Sequence, residues 1–222
     1  MTPNKSGPIN GRVVLSETEL INKSADFNSF MQKRRSVRSF SDKNISPEII
    51  KNCIRAAGSA PSGANKQPWQ FVIIGDSALK RRIRKKAEEE ERNFYSERAP
   101  QKWLDDLKPL ATNADKPFLE EAPYLIAVFE KKYEMTGGIK NISYYSKEST
   151  GIATGILIAA IHNAGLSCLT YTPSRMNFLN EILNRPAHER PFLILAVGYP
   201  SPEYIYPDIK RKGLDDIALF IL

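Results

Sequence analysis

The stretch Pro61-Ser62-Gly63-Ala64-Asn65-Lys66-Gln67-Pro68-Trp69 separates two unlike local patterns. Its first half is built of small residues and turn formers, and Gly63, with no Cβ, lets a ligand or another backbone come close. Upstream, Ser46-Pro47-Glu48 is a helix start, with serine as cap, proline at the first helical position and an acid in the first turn. Ile50, Cys53, Ile54 and Ala57 then mark the buried stripe of a helix that should end near Gly58. Downstream, Trp69–Ile74 reads as a strand. Taken alone, the loop is equally well explained as an ordinary helix-to-strand connection.

Further outward, Asp76 or Ser77 can cap a second helix, whose run over residues 80–92 has the charge density of a solvated face. Residues 124–129 and 193–197 read as short apolar strands, and 152–163 as an apolar helix rich in small residues and ended by Gly165. Strands alternating with helices indicate an α/β or α+β sheet domain, without an internal repeat. Residues 1–26 are polar and weakly patterned, which predicts an arm preceding a domain over 27–222.

With 41% hydrophobic and 26% charged residues among 222, the chain suits one globular domain. Its net charge of +7 favours an acidic partner such as nucleic acid, an anionic membrane or a phosphate-bearing ligand. Basic residues are interleaved with acidic ones, as in 85–92 and 102–108, and nowhere form a long cationic arm, which argues against nucleic-acid binding. Cys53 and Cys168 lack CxxC or Cys/His spacing and read as buried reduced thiols. His162 and His188 have no ligand-spaced companion, so neither a metal site nor a Ser/His relay is expected, and His188 reads as a loop brace. No run approaches the roughly 18 apolar residues of a membrane span. The start, with Asn4, Lys5 and Ser6, lacks a signal-peptide pattern, and a cytoplasmic protein that does not engage a membrane is expected.

Arg34-Arg35-Ser36-Val37-Arg38 places three guanidinium groups and a hydroxyl within five residues, a set suited to bidentate recognition of a phosphate monoester. By itself it is more often a solvated basic turn. Neither a dinucleotide fingerprint nor a Walker A sequence occurs, so a phosphate would be held by side chains. Glu91 and Tyr95, four residues apart, share a helix face, and Lys116 follows a stretch containing Trp103. Singly, each has a bland reading: an acid in a solvated run, a half-buried tyrosine, a surface lysine.

The arginine cluster, the 61–65 loop, Gln67-Pro68-Trp69 and Gly198-Tyr199-Pro200, in that order, resemble the FMN-dependent nitroreductase superfamily. The 88–116 segment narrows the resemblance to the iodotyrosine deiodinase family, over about residues 27–217. This implies an α+β, nitroreductase-like fold, with a central mixed but mainly antiparallel sheet flanked by helices. It also implies a domain-swapped homodimer with FMN at the subunit interface and 88–116 acting as a lid. The FMN contacts implied are Arg34, Arg35, Ser36, Arg38, Pro61, Ser62, Gly63, Thr170 and Thr172. Arg211, in Lys210-Arg211-Lys212, matches a second phosphate contact. Thr170-Tyr171-Thr172-Pro173 resembles a threonine-rich segment in which Thr172 would be catalytic, hydrogen-bonding flavin N5 and supporting one-electron reduction; Tyr171 interrupts that pattern. Glu91, Tyr95 and Lys116 would bind the zwitterion of an amino-acid substrate, and the Ala64 amide its phenolate oxygen.

The activity implied is FMN-dependent reductive removal of halide from halogenated tyrosines, with electrons from NAD(P)H directly or through a reductase. A general nitroreductase or quinone reductase is the first alternative, using the flavin residues without needing Glu91, Tyr95 and Lys116. A basic flavin-storage or nucleic-acid-binding module is the second, and it leaves the spacing of those three without a purpose.

Overall fold

The computed structural model describes residues 15–110 and 112–221, and the chain divides into two units, Met1–Arg34 and Arg35–Leu222. Within the first unit, where a polar arm is expected, helix α1 spans Glu17–Gln32. Its start is a capping box: the Glu19 amide donates to Ser16 Oγ at 3.4 Å and the Ser16 amide to the Glu19 carboxylate at 2.8 Å. None of its residues is buried. The rest of the expected arm, residues 1–14, lies outside the described residues.

In the second unit α2 (Pro47–Gly58) is followed by β1 (Trp69–Ile74), α3 (Ser77–Asn93), α4 (Gln101–Leu107) and α5 (Phe118–Glu121). Next come β2 (Tyr124–Lys131), the hairpin β3 (Tyr133–Thr136) and β4 (Ile139–Ile142), and α6 (Ser146–Asn163). The unit finishes with β5 (Ser167–Tyr171), α7 (Phe178–Ile182) and β6 (Glu189–Gly198). The main sheet has the order β1-β2-β6-β5, and all its pairings are antiparallel. A parallel contribution comes from an isolated bridge between Ser36 and Cys168.

Alternation along the central strands supplies both faces. Leu125, Ala127, Phe129, Ile194 and Ala196 pack with Ile83 and Ala87 of α3, Phe118 and Leu119 of α5, and Leu179 of α7. Ile126, Val128, Leu195 and Val197 pack on the other side with Ile50, Cys53 and Ala57 of α2 and Leu157 and Ile161 of α6. Both cysteines are buried and outside any disulfide, as expected. Strand β6 extends beyond the apolar run 193–197 because Glu189, Arg190 and Pro191 pair with Lys131, Glu130 and Phe129, past a register shift at Phe192. Helix α6 ends in paired bonds from the Gly165 amide to His162 O (3.0 Å) and from the Leu166 amide to Ile161 O (3.1 Å). This end needs the left-handed backbone of Gly165 at φ +78°.

The basic segment is stitched to the sheet edge. The Val37 amide donates to Cys168 O at 3.4 Å, and Ser41 and Ser201 donate to Tyr199 O and Ser39 O, each at 3.0 Å. These bonds fix Arg38 beside the end of β5. Among the described residues no helix is long and apolar enough to cross a membrane.

Gly198 is where this stitching leaves no space: a Cβ there would lie 2.7 Å from Pro123 Cδ and 2.9 Å from Phe40 Cδ1. Neither ring is a flexible chain end, so Gly198→Ala is expected to cost about 1–3 kcal/mol through overpacking. Calorimetry should show Tm lowered by about 3 °C or more; an unchanged Tm would mean that the strand end is free to shift.

Candidate active site

Helix α3 carries its acidic run on two different surfaces. Lys80, Ile83, Ala87 and Glu91 form its buried stripe at spacings of three and four, while Arg81, Arg82, Lys85 and Lys86 face water. Asp76 caps the helix by accepting from the Leu79 amide at 2.7 Å. Lys80 is satisfied inside the protein by Ala122 O (2.8 Å) and Glu120 O (3.0 Å). Glu91, only 9% exposed, is therefore a buried carboxylate at the inner end of the helix and not one more surface acid.

Beyond α3 the chain makes a π-turn over Phe94–Arg98, closed by the Ala99 amide on Phe94 O at 2.8 Å. Such wide turns re-aim side chains at functional sites. Here the turn sets Phe94 edge-to-face against Tyr95 (5.7 Å between centroids) and Trp103 (5.1 Å). The segment returns to the core at Lys116, whose amide donates to the Glu88 carboxylate at 2.9 Å. Arg84 holds that carboxylate at 2.7 Å and reaches Glu120 of α5 at 3.3 Å, so α3, the returning segment and α5 are tied together. Burial pushes the Glu88 carboxyl up, but Arg84, the Lys116 amide and the nearby Arg92 outweigh it and hold the group below its ordinary value.

Between this segment and the sheet lies a cavity of about 250 Å³. Glu91, Tyr95, Lys116, Arg38, Thr170 and Thr172 line it, with Phe94, Trp103, Leu107 and Leu110 as an apolar wall. Lys116, 3% exposed, sets its Nζ 3.3 Å from Glu91 Oε2. It also donates to Thr112 Oγ1 (3.3 Å) and to Asn113 O. Its ammonium lies 5.5 Å from the Tyr95 ring centroid. Burial lowers the pKa of Lys116, the Glu91 carboxylate counteracts this, and Arg38 adds to the lowering. The Tyr95 hydroxyl is pushed up by burial, with a hydrogen bond from Thr112 acting against it. The other oxygen of Glu91, Oε1, accepts from Tyr171 at 2.9 Å.

One cavity thus collects Glu91, Tyr95, Lys116, Arg38, Thr170 and Thr172, six of the residues singled out in the sequence. The other expected contacts lie elsewhere within a single chain. Ser62 Oγ accepts from the Gln67 amide at 2.9 Å, and Pro61 is exposed. Ala64 adopts φ 49°, and the Cβ position of Gly63 faces Tyr145 at 3.1 Å and Tyr144 O at 3.2 Å, so that glycine makes room for protein. Arg35 donates to Pro207 O and stacks 5.3 Å from the Tyr206 centroid, while the Ser36 carbonyl accepts from Tyr204 at 3.3 Å. Arg211 is exposed, and Arg34 belongs to the first unit. Sequence reading misses Tyr171, Glu88 and Thr112; strand alternation between two cavity-facing threonines is the signal that would have turned Tyr171 inward. Among the described residues no group of acids, histidines and cysteines could hold a metal ion.

This fold, with arginine and two threonines at the edge strand, is that of a family of flavoenzymes: residues 31–199 match the nitroreductase family, and the chain belongs to it. Within that family its similarity is to the iodotyrosine deiodinases. It is 52% identical to iodotyrosine deiodinase of Haliscomenobacter hydrossis over 92% of this chain and 91% of that one. It is 45% identical to iodotyrosine deiodinase 1 of Homo sapiens over 92% and 72% of the two chains. A crystal structure of oxidized iodotyrosine deiodinase bound to FMN and 3-iodo-L-tyrosine superposes with a TM-score of 0.76 at 32% identity, covering 87% of this chain and 100% of that one.

Breaking a buried ion pair from one side leaves an uncompensated charge, at a cost of about 3–5 kcal/mol. Lys116→Met is expected to lose that much in denaturant unfolding, and adding Glu91→Gln should restore part of it. Additive losses in the double variant would show that the two groups do not depend on each other.

Proposed function

We propose that the chain is an FMN-dependent reductive dehalogenase of halogenated tyrosines, converting 3-iodotyrosine and related substrates to tyrosine and halide. The observation that carries this reading is the buried Glu91–Lys116 pair, two opposite charges facing one cavity under an apolar wall. An α-ammonium group can take Lys116's place on Glu91, and Lys116, once released, can meet the α-carboxylate together with the Tyr95 hydroxyl, a donor that burial keeps protonated. A ligand lacking either charge would disrupt the pair without replacing it.

The residues present fit FMN. Arg38 and the exposed hydroxyls of Thr170 and Thr172 offer donors on one wall of the cavity. When bound, FMN supplies the electrons that, with two protons, replace a carbon–halogen bond by carbon–hydrogen and release hydrogen halide. Arg34, Arg35, Ser36, Arg38 and Arg211 are assigned to the phosphate, Pro61, Ser62 and Gly63 to the remainder of the cofactor, and Thr172 to flavin N5. Ala64, through its amide, is assigned to the phenolate oxygen. In this reading the working unit is a cytoplasmic homodimer in which a second copy supplies the 61–64 loop to the cavity; NAD(P)H, directly or through a reductase, is the electron source.

The segment carrying Phe94, Trp103, Leu107 and Leu110 excludes water from the ionic contacts and strengthens them. Recognition of the zwitterion is then coupled to completion of the site.

The test is anaerobic turnover of the yellow, FMN-loaded protein with dithionite, comparing 3-iodotyrosine with 4-nitrophenol. Tyrosine and iodide should form from the first, and Glu91→Gln should lower kcat/KM for it by roughly two orders of magnitude, as expected when a charged hydrogen-bond partner is lost in a buried site. Reduction of nitrophenol that Glu91→Gln leaves unchanged, without iodotyrosine turnover, would make the protein a general nitroreductase.

A further inference from the structure

Tyr171 stands between Thr170 and Thr172 and looks, in sequence, like a break in a threonine pattern. Strand alternation gives it a different surroundings from its neighbours: both threonines are exposed, whereas Tyr171 is 7% exposed. Its ring packs edge-to-face on Phe118, with centroids 5.5 Å apart. A phenylalanine would satisfy that packing. The hydroxyl has a separate use, because it donates to Glu91 Oε1 at 2.9 Å inside the protein.

The two oxygens of Glu91 therefore differ. Oε1 is bonded to a donor fixed on the sheet, while Oε2 faces Lys116 at 3.3 Å. Lys116 has acceptors of its own in Asn113 O and Thr112 Oγ1, so it can give up Glu91 without being left bare. Burial, and next the negative charge of Glu91, push the Tyr171 hydroxyl's pKa far up, so it stays a donor at any physiological pH.

We propose that Tyr171 is a positioning residue that holds Glu91 by Oε1, leaving Oε2 as the fixed point at which Lys116 is exchanged for the substrate's α-ammonium. Tyr171 thereby sets the preference for halogenated amino acids over halogenated phenols. This rests on the dehalogenase reading above. Without the Tyr171 hydrogen bond, Glu91 gains rotational freedom and can follow Lys116, so the zwitterion meets a carboxylate that is no longer held in place.

The experiment is Tyr171→Phe in the FMN-loaded enzyme, which keeps the ring against Phe118. With 3-iodotyrosine and dithionite, KM is expected to rise about tenfold or more, in line with loss of one hydrogen bond to a charged group. The value of kcat should stay within about twofold, because the threonines on either side are untouched. Binding of 2-iodophenol, which has no zwitterion, should be the same in both proteins, as should the flavin absorption spectrum. Equal KM in variant and wild type would overturn the proposal. So would equal weakening of iodotyrosine and 2-iodophenol, which would mark a merely structural tyrosine. Failure of the wild-type enzyme to dehalogenate would instead refute the dehalogenase reading, and this inference with it.

Discussion

A carboxylate taken out of water costs several kcal/mol unless its oxygens are partnered, and Glu91 meets that requirement from two directions at once. Lys116 comes to it from the end of the returning segment and Tyr171 from the sheet. Much of the site's construction follows from this one requirement. Helix α3 has to continue its buried stripe as far as residue 91, and the π-turn over Phe94–Arg98 has to carry the chain away. The return through Lys116 is then pinned by Glu88, Arg84 and Glu120. An apolar residue at 91 would pack as well, but it would leave Lys116 as a buried cation without a counter-charge.

The sheet sets the other side of the cavity. β5 is the last strand in the order β1-β2-β6-β5, and an uncovered last strand invites unwanted pairing. The segment around Ser36 and Val37 lies along it and takes up its exposed backbone groups. The same contact that covers the edge delivers Arg38 to the cavity wall with Thr170 and Thr172, so edge protection and placement of this guanidinium group have one cause. Gly198, pressed by Pro123 and Phe40, is the point where this arrangement tolerates least change.

Elements with strong local punctuation are legible in the sequence. β1 has its expected bounds because Pro68 precedes it and Gly75-Asp76 follows, and α2 starts at its Ser-Pro-Glu signal and stops at Gly58. β6 exceeds its apolar core because Glu189 and Arg190 pair through the backbone, a bond that hydropathy does not record. α1 carries a capping box at Ser16 and Glu19, but its apolar residues form no consistent stripe, so the helix is not announced. Composition also misplaces the inner face of α3: a run of charges conceals that Lys80 and Glu91 continue a stripe begun by Ile83 and Ala87. Lys116 is legible only through family resemblance, since nothing in its neighbours foretells its burial. The loop of Pro61, Ser62, Gly63 and Ala64 is clear as a motif, yet within the chain these residues do not line the cavity.

In the proposed function Glu91 and Lys116 form a pair built to be exchanged for a zwitterion. The most direct test of this exchange is a titration of flavin fluorescence with 3-iodotyrosine, with its analogue lacking the amino group, and with its analogue lacking the carboxylate. If the pair works this way, removal of either charge should weaken binding by about a hundredfold or more, since each leaves one buried partner unpaired. Comparable affinity for all three ligands would contradict the claim, because Glu91 and Lys116 would then remain bound to each other whatever fills the cavity.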